Sequence, residues 1–100
     1  MIDDGYAVHY SAVPRGTPVY SSEEEQVGTI DEVLDNYRER IFDGIVVRSP
    51  SGERRFVDAP EVARTAERAV TLTITAEQFA QLSLERPRVT SLLSRFKRRR

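Results

Sequence analysis

One hundred residues, 39% apolar and 31% charged, make a chain of single-domain size with a small core and a heavily ionised surface. The absence of cysteine excludes disulfides, thiolate metal sites and cysteine nucleophiles. The formal charge of −1 conceals an asymmetry: residues 86–100 carry seven basic side chains and no acid (+7), whereas residues 1–85 carry eight basic and sixteen acidic ones (−8). An acidic body with a basic tail predicts a polyanionic partner for the tail.

The chain opens on "MIDDGYAVHYSAVP", which lacks the basic and apolar regions of a signal peptide. No stretch approaches the roughly 20 apolar residues that cross a bilayer, so a cytoplasmic protein is expected. Pro14-Arg15-Gly16 is a breaker cluster, and residues 1–14 are expected to form a loosely docked arm. "PVYS" from Pro18 is a short extended run, closed by the polar "SSEEEQ".

The next segment supports two readings. Val27, Ile30, Leu34, Tyr37 and Ile41 recur at alternating spacings of three and four, the stripe of an amphipathic helix over Glu23 to Arg40. Against it stand Gly28, costing about 1 kcal/mol inside a helix relative to alanine, and the modest helix formers Thr29 and Asn36. The competing strand alternation is imperfect.

Beyond it, "IFDGIVVRS" has the β-branched density of a strand, "PSGE" is a turn, and "RRFVDA" a return strand. "PEVARTAE" predicts one helical turn begun by Pro60, and "AVTLTI" the last strand. Thr75 and Gln78 form a capping box that starts the helix "AEQFAQL". Pro87 ends it, and "RVTSLLSRFKRRR" is a second helical candidate.

"GTPVYSSEEEQVGTIDEVLDNY", "FDGIVVRSPSGERRFVDAPEV" and "RAVTLTI" together resemble the PRC-barrel family, the small β-barrel found in the photosynthetic reaction-centre H subunit and in the ribosome maturation factor of the small subunit. Val19, Val27-Gly28, Ile30, Glu32 to Asp35, Ile45 to Val47, Phe56-Val57 and Val70 to Ile74 stand at the family's strand positions. The resemblance covers roughly residues 15–75 and its motifs are mostly structural. It favours the strand reading of the contested segment and makes "SSEEEQ" the solvated turn between the first two strands. Gly28 would then let the backbone bend or bulge where the barrel curves. The "NYRERI" loop, the arm and the tail depart from the pattern, so the resemblance implies a docking barrel and no particular partner.

The search for chemistry returns little. Glu23, Glu24 and Glu25 alternate in direction if extended, and no glycine lies among them to wrap a loop around a cation. His9, the only histidine, has no identifiable partner that would make it a base. Asp31, Glu32, Asp35, Glu39 and Asp43 are interleaved with Arg38, Arg40 and Arg48, which predicts charge neutralisation on a surface. There is no nucleophile elbow and no glycine-rich phosphate cradle. A non-enzyme is expected, with no metal and no cofactor.

Two basic features remain. Arg54 and Arg55 follow the "SG" turn, either as a contact for protein or phosphate or as a charged tip that discourages edge pairing. In the tail, Val89, Leu92, Leu93 and Phe96 would form one helical stripe, flanked by Arg88, Arg95, Lys97, Arg98, Arg99 and Arg100. Three readings compete: docking of the stripe on the barrel, a membrane-surface helix with basic groups contributing about 1 kcal/mol each near an anionic leaflet, and electrostatic contact with RNA or the ribosome.

The sequence therefore predicts a mostly-β protein: an arm over 1–14, a small PRC-type barrel of about five or six strands over 15–75, and a C-terminal helical segment over 76–100. The expected function is a non-catalytic adaptor or assembly module that binds another protein, as a homodimer through exposed barrel edges. The alternative is a ribosome- or RNA-associated factor, or a membrane-surface adaptor, using the tail. The contact candidates are Arg54, Arg55, Leu92, Leu93, Phe96, Lys97, Arg98, Arg99 and Arg100.

Overall fold

The computed structural model describes residues 3–36, 41–82 and 84. They are mostly β, arranged as one curled six-stranded sheet, a half-barrel, with a single short helix towards the C-terminal end. The strands are β1 (Pro18–Tyr20), β2 (Gln26–Asn36), β3 (Ile41–Arg48), β4 (Arg54–Asp58), β5 (Val62–Thr65) and β6 (Val70–Leu72), and the helix is α1 (Ala76–Ala80). Their order across the sheet is β4-β3-β2-β1-β6-β5. All neighbours are antiparallel except β1 and β6, which run parallel. β4 and β5 are thus the outer strands.

The contested segment is a strand; of its helical stripe, Val27 and Ile30 join the core cluster, while Leu34 is buried outside it. Opposite β1, Val19 pairs with Gly28 and Tyr20 with Gln26, so Val27 is an extra, bulged residue. Opposite β3, Ile30 pairs with Val47 and Glu32 with Val46, so Asp31 is another. Each bulge shifts the in–out alternation by one position. Val27, Ile30 and Val33, spaced three apart, consequently all pack in the core, which an unbulged strand could not do. A period of three, normally helical, here records a twice-bulged strand.

Two glycines fit the sheet together. A Cβ on Gly28 would lie 2.3 Å from the Arg48 carbonyl oxygen, so β2 and β3 approach more closely there than any side chain permits. Gly28 itself needs no positive φ; its role is close approach beside the bulge. Gly44 follows Asp43, the extra residue where Leu34 pairs with Gly44 and Asp35 with Phe42. It adopts φ +151, and a Cβ there would meet the Val57 carbonyl oxygen at 2.2 Å and the Phe56 ring at 2.9 Å.

The core is largely β-branched. Val19, Ile45, Val47, Val57 and Val70 are fully buried, each worth about 1.5–3 kcal/mol relative to exposure. Phe79 of α1 joins them. The capping box is present: the Gln78 N–H donates to Thr75 Oγ1 at 3.1 Å and the Thr75 N–H to Gln78 Oε1 at 2.9 Å. This fixes the first turn of a helix too short to stand alone.

Three segments refine the sequence reading. After Pro60 the chain makes only a 3-10 turn (Ala59–Glu61) and then enters β5, where a helical turn was expected. The Ala66 N–H donates to the Ala69 carbonyl at 3.0 Å, folding β5 back on β6. The arm, expected to dock loosely, is tied along β5: the Val8 N–H donates to Thr65 O, the Glu67 N–H to Tyr6 O and the Arg68 N–H to Asp4 O, at 2.9–3.0 Å. Arg64 and Arg68 add ion pairs to Asp4 (2.8 Å) and Asp3 (3.0 Å). The second helical candidate, from Arg88 onward, lies outside the described residues.

Candidate interaction surface

The β3–β4 hairpin closes through the Ser49 N–H to Glu53 O (2.8 Å) and the Gly52 N–H to Ser49 O (2.9 Å). Arg48 and Arg54 flank this turn as direct cross-strand partners, and Arg48 also faces Thr29 on β2. Val47, next to Arg48, and Val57, three residues after Arg54, lie in the core, so by alternation both arginines lie on the face turned away from it. Two like charges directly opposite destabilise a sheet, and something must neutralise them.

Asp31 does so. The bulge that makes it an extra residue turns its carboxylate onto this outer face. Oδ2 accepts from Arg54 Nε at 2.6 Å; Oδ1 accepts from Arg48 Nη2 at 3.1 Å, Arg48 Nε at 3.3 Å and Arg15 Nη2 at 3.3 Å. Arg54 also reaches Glu32 at 3.4 Å, and Arg48 Nη1 donates to Gly52 O at 3.3 Å. The Asp31 side chain is only 7% exposed, beneath Arg54 at 35%, Arg48 at 44% and Arg15 at 76%. Three guanidinium groups from three segments thus share one covered carboxylate. Burial pushes the Asp31 carboxyl up, but hydrogen bonds from Arg48, Arg54 and Arg15 outweigh it and hold the group below its ordinary value.

Arg54 and Arg55, paired as hairpin candidates in the sequence, take different places. Arg54 belongs to the Asp31 cluster. Arg55 pairs with Val47 and so points to the core side. It donates to the Leu82 carbonyl at 2.5 Å and to Glu53 at 2.7 Å, with its side chain 15% exposed. Its position ties the segment after α1 to the outer strand, where it also bridges Leu84. Leu92, Leu93, Phe96, Lys97, Arg98, Arg99 and Arg100 lie outside the described residues.

The remaining features are local. Ser21 is buried, and its Oγ accepts from the Glu23 and Glu25 N–H groups at 3.1 and 3.3 Å. This fixes the β1–β2 turn with its glutamates exposed, as the strand reading expects. The exposed His9 caps its own 3-10 turn, Nδ1 accepting from the Ser11 N–H at 3.2 Å. Asp4 is held below its ordinary value, chiefly by its hydrogen bond from Arg64. Among the described residues, every buried side-chain nitrogen or oxygen has a hydrogen-bond partner, and no group of three or more acidic, histidine or cysteine side chains is placed to hold a metal ion. No helix among them is long and apolar enough to cross a membrane.

Sequence reasoning anticipated that Asp31 would be neutralised by arginine but missed it as the centre of a cluster, and missed Arg15 altogether. A signal was present in "RSPSGER": the two arginines stand symmetrically about the turn and must face each other once the hairpin closes. Arg15 carried no such signal, since only the fold brings it alongside β2. The chain matches no protein-family model, and no curated protein matches it.

Proposed function

We propose that this chain is a non-catalytic, cytoplasmic adaptor or assembly module, a PRC-type barrel that holds another protein. The Asp31 cluster carries this reading. Arginine is enriched at protein interfaces because its planar fork makes several directed bonds. The usual penalty is the entropy of fixing a long side chain. Here that ordering is already done by a covered carboxylate on a bulged strand, and each guanidinium has further N–H groups beyond those directed at Asp31, Glu32 and Gly52. The strand pattern resembling the PRC-barrel family points to the same class of docking module.

The test is a quantitative pull-down from native lysate, comparing the full chain, a version ending at Leu84 and the Arg15→Ser variant. One protein retained by the first two and reduced by Arg15→Ser is the expected result. Equal capture by all three would exclude the cluster as the contact. The second reading rests on the +7 of residues 86–100: RNA, ribosomes or lipid captured only by the full chain, with steep loss on adding salt, would assign the function to the tail.

A further inference from the structure

β1 ends, β2 begins, β3 ends and β4 begins at the same end of the sheet, so the Ser21–Glu25 turn and the Ser49–Glu53 turn project side by side. The first is acidic, and arginines flank the second. The first holds Glu23 and Glu25 exposed on a turn fixed by the Ser21 hydroxyl, which accepts from both of their N–H groups. Next to the second sits the arginine cluster, with Arg15 and Arg48 outermost. Thr29, opposite Arg48, is four residues from Glu25, or about 13 Å at ~3.3 Å per strand residue.

Two adjacent rigid patches of opposite sign form a surface complementary to itself under a two-fold rotation. We propose that a second copy of this chain docks here, the Glu23–Glu25 turn of each protomer seated on the Arg15–Arg48–Arg54 cluster of the other. The two-fold axis passes between the patches, so every ion pair is made twice. The signs fit: three arginines less Asp31 and Glu32 leave the cluster a net positive charge, opposite to that of the Glu23–Glu25 turn. An extended polyanion fits worse. It would have to run past Glu23 and Glu25, little more than a Debye length away. Because the contacts are exposed ion pairs, the dimer is weak, concentration-dependent and salt-sensitive.

The experiment is sedimentation of the purified full chain at low and high ionic strength, with two variants. Glu23→Arg/Glu25→Arg reverses the turn, and Arg15→Glu reverses the most exposed cluster residue, whose removal leaves Arg48 and Arg54 on Asp31. Each variant alone should dimerise at least about tenfold more weakly than the parent. An equimolar mixture should recover the parent's dimer, because both halves of the mixed interface are again complementary. A parent that stays monomeric at low salt, a dimer indifferent to salt and to both variants, or a mixture that fails to recover each overturns the assignment. Circular dichroism on each variant separates misfolding from lost docking, and a variant that misfolds is replaced by Glu23→Gln/Glu25→Gln or Arg15→Gln, which should weaken the dimer in the same direction. The measurement uses purified protein alone, so its failure leaves the adaptor reading to the pull-down, and the reverse.

Discussion

The two halves of this sheet are held by different means. β2 and β3 are long, pair with each other and with the five-residue β4, and take their shape from bulges at Asp31 and Asp43. β1, β6 and β5 have only three or four residues each. They depend on segments outside the sheet: the arm along β5 and the buried Thr17, whose hydroxyl donates to the Pro14 carbonyl at 2.6 Å. The long half is a ladder of paired strands, and the short half an assembly of small attachments. The same ion-pair chemistry therefore has different consequences in each: Asp31 fixes arginines on a rigid frame, and Asp4 holds down an arm.

The sharpest way to break the long half is Gly44→Ala. A methyl group there combines a φ unsuited to an L-residue with a collision against the Val57 carbonyl oxygen and the Phe56 ring, and the carbonyl cannot move without its strand. We expect a loss of about 4 kcal/mol, a large share of the ~5–15 kcal/mol of a typical domain. Thermal unfolding should show the midpoint falling by about 15–30 °C. An unchanged midpoint would mean that β3 is not bulged at Asp43.

The contrast between the two aspartates is sharpened by acid. Both carboxyls lie below the ordinary 3.8 in the folded chain, so the unfolded chain binds protons first as pH falls. Their stabilisation is complete above that value and is lost as pH drops through the lower, folded values. Asp31→Asn should lower stability at neutral pH by about 1–2 kcal/mol, a figure held down by solvent screening of the arginines, and should flatten the acid limb of a urea-midpoint against pH plot. Asp4→Asn should leave the midpoint nearly unchanged. Its effect should appear instead as faster hydrogen exchange at the Val8, Glu67 and Arg68 amides, which secure the arm. Equal flattening by both substitutions would erase the distinction between the halves.

What was legible in the sequence follows the same division. β3, its turn and β4 were readable because β-branched density and "PSGE" are local signals, and Thr75 and Gln78 announced α1 for the same reason. The step from Val27 to Ile30 was ambiguous because a bulge converts a period of two into an apparent three, and a bulge is fixed by pairing rather than by composition. β5 was hidden behind Pro60, whose turn ends after three residues because the chain can hairpin back at Ala66. The Asp31 cluster was half legible: Arg48 and Arg54 are tied to a turn, while Arg15 arrives from a loop through contacts that no local pattern encodes.

A smaller loss than that at Gly44 concerns α1, the attachment that is most local of all. Thr75→Ala removes the hydroxyl that accepts from the Gln78 N–H and leaves the reciprocal bond from the Thr75 N–H in place. Loss of such a cap costs about 1 kcal/mol, lowering the thermal midpoint by roughly 4–8 °C. Because α1 has five residues and one anchor in the core, Phe79, the loss should be felt by the helix before the sheet. Exchange at the Phe79 and Leu82 amides, which donate to Thr75 O and Phe79 O, should accelerate more than exchange along β3. Uniform acceleration would instead mean that α1 and the long strands open together, and that the helix is part of the frame formed by the ladder it packs on.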